Sequence, residues 1–139
     1  MNNLSENIDR EKVKLSFGKN ERLCSKKVID KLFAEGKSVF SFPFKIGYLE
    51  TKLPANVPVQ VAFTVGKRNF KRAVQRNLIK RRMREVYRLN KSGFYNEIGE
   101  KQVAVFFIFT GKTISEYSQI EAAIKKGMKK LISELKTSN

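Results

Sequence analysis

The residue pattern predicts one α+β domain with elements in the order αββαβα: a small sheet backed by helices. Two stretches alternate apolar and polar residues with a period of two, and a third is a continuous apolar run, Val103 to Phe109. Three further stretches carry apolar residues at helical spacing. Periods of two and of about 3.6 distinguish strands from helices, and strands interleaved with helices point to a layered domain.

The first helix is expected at residues 25–35, where Val28, Ile29, Leu32 and Phe33 share a stripe and Gly36 follows as a stop. Phe40, Phe42, Phe44, Ile46 and Tyr48 then alternate with smaller or polar residues, which predicts a single strand over 40–48. Pro43 within it argues for an edge position or an irregular start. After the proline-containing loop at 51–58, Val57, Val59, Val61, Phe63 and Val65 fall in phase and predict a second strand. Gly66 ends it, and Asn69 is positioned to cap a helix that runs to about Leu89. Ile79, Met83, Val86 and Tyr87 lie on one arc of that helix. Asn77, Lys80, Arg81, Arg84 and Arg88 lie on the other. Residues 90–101, with Gly93 and Gly99, read as a loop. The β-branched and aromatic run Val103 to Phe109 predicts a central strand buried on both faces. A last helix over 115–135 carries its apolar stripe on Ile120, Ala123, Ile124, Met128, Leu131 and Leu135.

A chain of 139 residues with 41% hydrophobic content can bury one core without covalent staples. A single cysteine excludes an internal disulfide, which suits a reducing, cytoplasmic setting. No apolar run reaches the length of a membrane span, and the polar N-terminus does not read as a signal peptide. Residues 1–13 read as a flexible tail preceding a domain at 14–136.

The charge is concentrated. Between Lys67 and Arg88 ten Lys and Arg face one acid, Glu85, so this segment holds +9 of the net +16. Like charges four residues apart weaken a helix by a few tenths of a kcal/mol per pair. A solvated helix face interleaves signs instead. The prevalence of Arg favours forked contacts to phosphate, so the expected partner is a nucleic acid. Protein catalysis finds no support. There is no histidine, the thirteen carboxylates are scattered, and no phosphate-loop or metal-ligand motif occurs. Cys24 beside Lys26 and Lys27 reads as a small packing residue. The aromatic strand is a second candidate. Core is the default for Phe42 and Phe44, whereas an open part of the face would stack unpaired bases.

Phe63-Thr64-Val65-Gly66-Lys67-Arg68, followed by Arg76-Asn77-x-x-Lys80-Arg81-x-x-Arg84, closely resembles the signature of the bacterial ribonuclease P protein subunit. Leu32-Phe33-x-x-Gly36-Lys37-Ser38 resembles that family's first helix and turn. The resemblance implies a ribosomal-protein-like fold with a mixed sheet and a left-handed βαβ crossover. It implies an RNA partner, the catalytic ribonuclease P RNA, which cuts the 5′ leader from precursor tRNA with its own Mg2+; the protein holds no metal, no catalytic residue and no small-molecule substrate. On the matching positions it implies that Lys67, Arg68, Arg72, Arg76, Asn77, Lys80, Arg81, Arg84 and Arg88 bind the RNA subunit. It further implies that Phe33, Phe44, Ile46 and Tyr48 form the cleft for the leader. Arg68-Asn69-Phe70 departs from the family pattern, so the loop leading into the helix is expected to differ in shape. The alternative reading is a non-catalytic basic protein of the ribosome or another ribonucleoprotein.

Overall fold

The computed structural model describes residues 17–137; the tail expected at residues 1–13 lies outside them. A one-turn 3-10 helix at Lys19–Glu21 precedes α1 (Lys26–Glu35), β1 (Lys37–Ser41), β2 (Phe44–Glu50), β3 (Val59–Val65), α2 (Ala73–Ile98), β4 (Val103–Phe109) and α3 (Tyr117–Thr137). The four strands form one mixed sheet in the order β1-β2-β4-β3. β4 is antiparallel to β2 and parallel to β3. α2 is therefore the connection between two parallel neighbours.

The expected strand over 40–48 is two strands. Ser41 pairs with Phe44, so the chain reverses at Phe42-Pro43, joined by a cis peptide bond. A proline has no N–H to give a ladder and is at home in a tight reversal. The reversal breaks the apparent alternation. Val39 and Ser41 of β1 and Phe44, Ile46 and Tyr48 of β2 are buried, whereas Phe40 and Phe42 are exposed. Phe42, expected in the core, is instead exposed at the turn.

Two apolar clusters lie on the two sides of the sheet. The larger joins Phe44, Ile46, Val59, Val61, Val105 and Phe107 to Ile79, Met83 and Tyr87 of α2 and Ile120, Ile124 and Leu131 of α3. Each such side chain, fully buried, contributes about 1.5–3 kcal/mol. The smaller cluster joins Val28 and Leu32 of α1 to Leu23, Leu53 and Ala104. α1 starts from Ser25, whose hydroxyl accepts the Val28 N–H at 3.4 Å. It covers only part of its face, so β4 is not buried on both sides throughout. Ala104 is buried, but Phe106 and Ile108 are only half-buried. Gly127 of α3 lies against the side chain of Ile46, and an added Cβ there would collide with it.

α2 runs to Ile98, through the stretch expected to be a loop. Tyr87, Lys91, Phe94 and Ile98 continue the buried stripe at intervals of four, three and four. Gly99 stops the helix with φ +71°, a conformation that glycine adopts freely. The β3 edge is closed by residues 22–23, with the Leu23 N–H bonded to the Val61 carbonyl at 3.0 Å. No helix among the described residues is long and apolar enough to cross a membrane.

Candidate nucleic-acid interface

The helical spacing of α2 sorts its basic residues. Ile79, Met83, Val86 and Tyr87 point into the core, which leaves Asn77, Lys80, Arg81, Arg84 and Arg88 on the outer arc. Asn77, Arg81 and Arg84 are exposed and Lys80 is half-buried. Lys67, Arg68 and Arg72 are exposed in the loop that leads into the helix. Arg88 is engaged by a carboxylate: its Nη2 lies 2.6 Å from Glu85 Oε1. The hydrogen bond from Arg88 holds Glu85 below its ordinary value, and the bond to Glu85 raises Arg88.

Arg76 differs from its neighbours. It is half-buried, and its Nη1 donates to the carbonyls of Phe70 and Lys71, each at 2.8 Å. It fastens the lead-in loop to the first turn of α2. Asn69 is not the N-cap. That position belongs to Arg72, which makes no side-chain cap bond, while Asn69 Nδ2 reaches the Gly111 carbonyl at 3.4 Å. Phe70 is buried against Phe109 and draws the chain inward before the helix can start. Arg82 turns away from the arc and donates to the Ser115 carbonyl at 2.6 Å.

The sheet face left half-open by α1 supplies the second component. Strand register sets Phe40, Lys45, Ile108 and Thr64 in one row and Ser38, Gly47, Phe106 and Ala62 in the next. Leu32 of α1 sits over Gly47, where an added Cβ would be 3.3 Å from its Cδ2. Phe33, beside it, is 61% exposed and lies 5.3 Å from the Phe106 ring. Phe40 is 63% exposed, with Lys45 Nζ 5.9 Å from its ring centroid. The face thus presents three aromatic rings, two of them open to solvent, with a cation among them.

Of the four residues expected to form the leader cleft, only Phe33 is on this face. Phe44, Ile46 and Tyr48 are buried under α2 and α3 on the opposite side. Phe44 packs edge-on against Phe107 and Phe109, and burial together with Glu134 raises the Tyr48 phenol. The reversal at Phe42-Pro43 sets that parity. Phe40, Phe106, Ile108 and Lys45 were not assigned to the cleft; a period of two groups residues by face but leaves open which face a helix will cover.

The two components meet. Lys80 and Arg84 of α2 line a cleft of about 210 Å³ together with Ala62 and Phe63 of β3 and with Phe17 and Arg22. A cationic helix arc that runs into a half-open aromatic sheet face, on a small α+β domain, defines an RNA-binding protein: charge for the backbone, rings for unpaired bases. The chain belongs to the ribonuclease P protein family, whose model, described as Ribonuclease P, matches residues 17–132. The ribonuclease P protein component of Petrotoga mobilis is 36% identical over 121 residues, covering 84% of this chain and 95% of that one. That of Chlorobaculum tepidum is 34% identical over 119 residues, covering 78% and 77%. The solved RNase P protein of Staphylococcus aureus superposes with a TM-score of 0.64 at 22% identity, covering 81% of this chain and 96% of that one, a likeness that carries the fold. The family is the protein component of ribonuclease P, the enzyme that matures tRNA 5′ ends.

Proposed function

We propose that this chain binds the RNA subunit of ribonuclease P through the outer arc of α2 and its lead-in loop, and passes the 5′ leader of precursor tRNA across the half-open sheet face. The observation that carries this reading is the cleft shared by Lys80 and Arg84 with Ala62 and Phe63, which makes cationic arc and sheet face one continuous surface. Phosphates tracked by the arc bring the adjoining unpaired strand over Phe33, Phe106 and Phe40. Among the described residues no cluster of three or more His, Cys, Asp or Glu side chains fits a metal ion. In this reading Mg2+ belongs to the RNA, and the bond-breaking chemistry with it. The protein's part is to hold and align, in the cytoplasm where precursor tRNA is made.

Reconstitution tests the reading. Added to a bacterial ribonuclease P RNA at low magnesium, the protein should stimulate 5′ cleavage of a leader-bearing precursor. An absence of stimulation, with binding to ribosomal RNA instead, would favour a basic ribosomal protein. If the six open cations Lys67, Arg68, Arg72, Lys80, Arg81 and Arg84 meet phosphate, the log–log dependence of affinity on salt should have a slope of about −4 to −5. Lys80→Ala with Arg84→Ala should reduce it by about two. Arg76→Ala should instead lower stability at the start of α2, with a smaller change in slope. Phe33→Ala should weaken binding of leader-bearing substrate about tenfold and leave mature tRNA unaffected, since a stacked base contributes about 1–3 kcal/mol. Equal losses for both substrates would remove the stacking role.

A further inference from the structure

On the other side of the β1–β2 turn lies a groove of about 500 Å³ that the surfaces above do not use. One wall is Phe42 and Pro43. The other is the first three turns of α3, with Gln119, Ala122 and Lys126, and Ser41 lies at the floor. Phe42 is 85% exposed, the most open large apolar side chain among the described residues. Ser41 Oγ donates to the Ala123 carbonyl at 2.8 Å and seals the floor. The Gln119 amide oxygen accepts the Glu116 N–H at 3.0 Å, which leaves its NH2 as a donor toward a ligand.

We propose that this groove is a second RNA contact, taking one unpaired base of the partner RNA on the Phe42 ring with a flanking phosphate at Lys126. The proposal rests on the RNA-binding reading above and extends it to a separate surface. The volume lies within the range of small-ligand sites, and one aromatic wall with hydroxyl and amide groups from Thr113, Ser115 and Gln119 around it suits a base better than a metal or an apolar peptide. Charge selects a polyanion. Lys126, Lys129 and Lys130 are all exposed on this helix, against two carboxylates near its start, Glu116 and Glu121, of which Glu121 lies 3.9 Å from Lys125. A second copy of a chain with net charge +16 would be repelled. Strand addition at β1 is also opposed, because Lys130 Nζ caps the Phe40 carbonyl at 2.6 Å on that edge.

The test measures binding of the full chain to bacterial ribonuclease P RNA alone, with no tRNA present. Phe42→Ala should weaken binding about tenfold with the salt slope unchanged, as expected for a lost stack. Phe42→Tyr should retain the parent affinity. Lys126→Gln should reduce the slope by about one. Thermal unfolding of all three should match the parent, since both side chains are exposed. Parent-like affinity for Phe42→Ala overturns the proposal. So does an effect of Phe42→Ala confined to self-association of the free protein in sedimentation. If the unsubstituted protein binds no RNA, the functional reading falls and takes this site with it. If Phe33→Ala still loses leader binding while Phe42→Ala is silent, this site alone falls.

Discussion

Replacing Glu21 with Ala should lower folding stability by about 3 kcal/mol, the range expected when a buried ion pair loses one member. Lys91 Nζ lies 2.5 Å from Glu21 Oε1, with the lysine side chain 2% and the glutamate 13% exposed. The same oxygen accepts the Tyr95 hydroxyl at 2.7 Å, and Oε2 accepts the Gly18 N–H at 2.9 Å. Tyr87 and Tyr95 share a longer hydroxyl contact of 3.4 Å. The substitution leaves a desolvated ammonium without its carboxylate. Lys91→Met should cost less, because it removes the buried charge and leaves Glu21 its bonds to Gly18 and Tyr95. In the double variant, Glu21→Ala with Lys91→Met, part of the loss should return, and the cycle measures the coupling. Urea unfolding followed by circular dichroism provides the numbers; additive losses would show that the two groups are not coupled.

The same pair gives stability a sign with pH. Burial pushes the Glu21 carboxyl up, but hydrogen bonds from Lys91, Gly18 and Tyr95 and the Lys91 charge outweigh it and hold the group below its ordinary value of 4.5. A depressed folded-state value contributes stability that is complete above 4.5 and is lost as pH falls through the folded value. The gap between the parent and Glu21→Gln should therefore narrow below pH 4.5. A constant gap would remove the linkage. The effect reaches the RNA surface, because Glu21 anchors the segment whose Phe17 and Arg22 wall the cleft with Lys80 and Arg84. Glu21→Ala should weaken RNA binding at temperatures where the fold still holds.

That ion pair also explains what the sequence concealed. A lysine at position 91 interrupts the apolar stripe of α2, so the periodicity ends at Tyr87 and the last nine residues of the helix read as a loop. Phe94 and Ile98 keep the period, and Lys91 belongs to it only because a carboxylate seventy residues away neutralises it. Local spacing carries no record of such a partner. The outer arc of α2 was legible for the opposite reason: an uncompensated charge on one side of an amphipathic helix is a local property. Arg76 shows where that reading stops, because its position is set by the carbonyls of a loop turned inward by the burial of Phe70. On the sheet, alternation grouped Phe44, Ile46 and Tyr48 correctly but could not tell which face two helices would cover. The two-residue reversal at Phe42-Pro43 hid the boundary between one long strand and two short ones.

Gly36→Ala should cost about 3 kcal/mol, at the upper end of what overpacking does. The sequence reading takes this glycine as a helix stop, yet its φ of −71° is open to any residue. Space, not backbone freedom, selects it. A Cβ at this position would collide with the Leu32 carbonyl oxygen and lie 2.9 Å from the Tyr48 carbonyl oxygen. Both are backbone atoms, one in the last turn of α1 and the other in β2. The first accepts the Gly36 N–H at 2.7 Å. Relief of the collision has to move α1 away from the sheet, and α1 carries Phe33. The variant should therefore lose leader discrimination as well as stability, with the Phe33–Phe106 contact opened. Phosphate binding by α2, on the other side of the sheet face, should keep its salt slope. Thermal unfolding together with binding of leader-bearing and mature tRNA separates these effects. Parent-like stability for Gly36→Ala would mean that α1 can shift on β2 without loss of packing. Intact leader discrimination in a destabilised variant would mean that the stacking surface does not depend on the seating of α1.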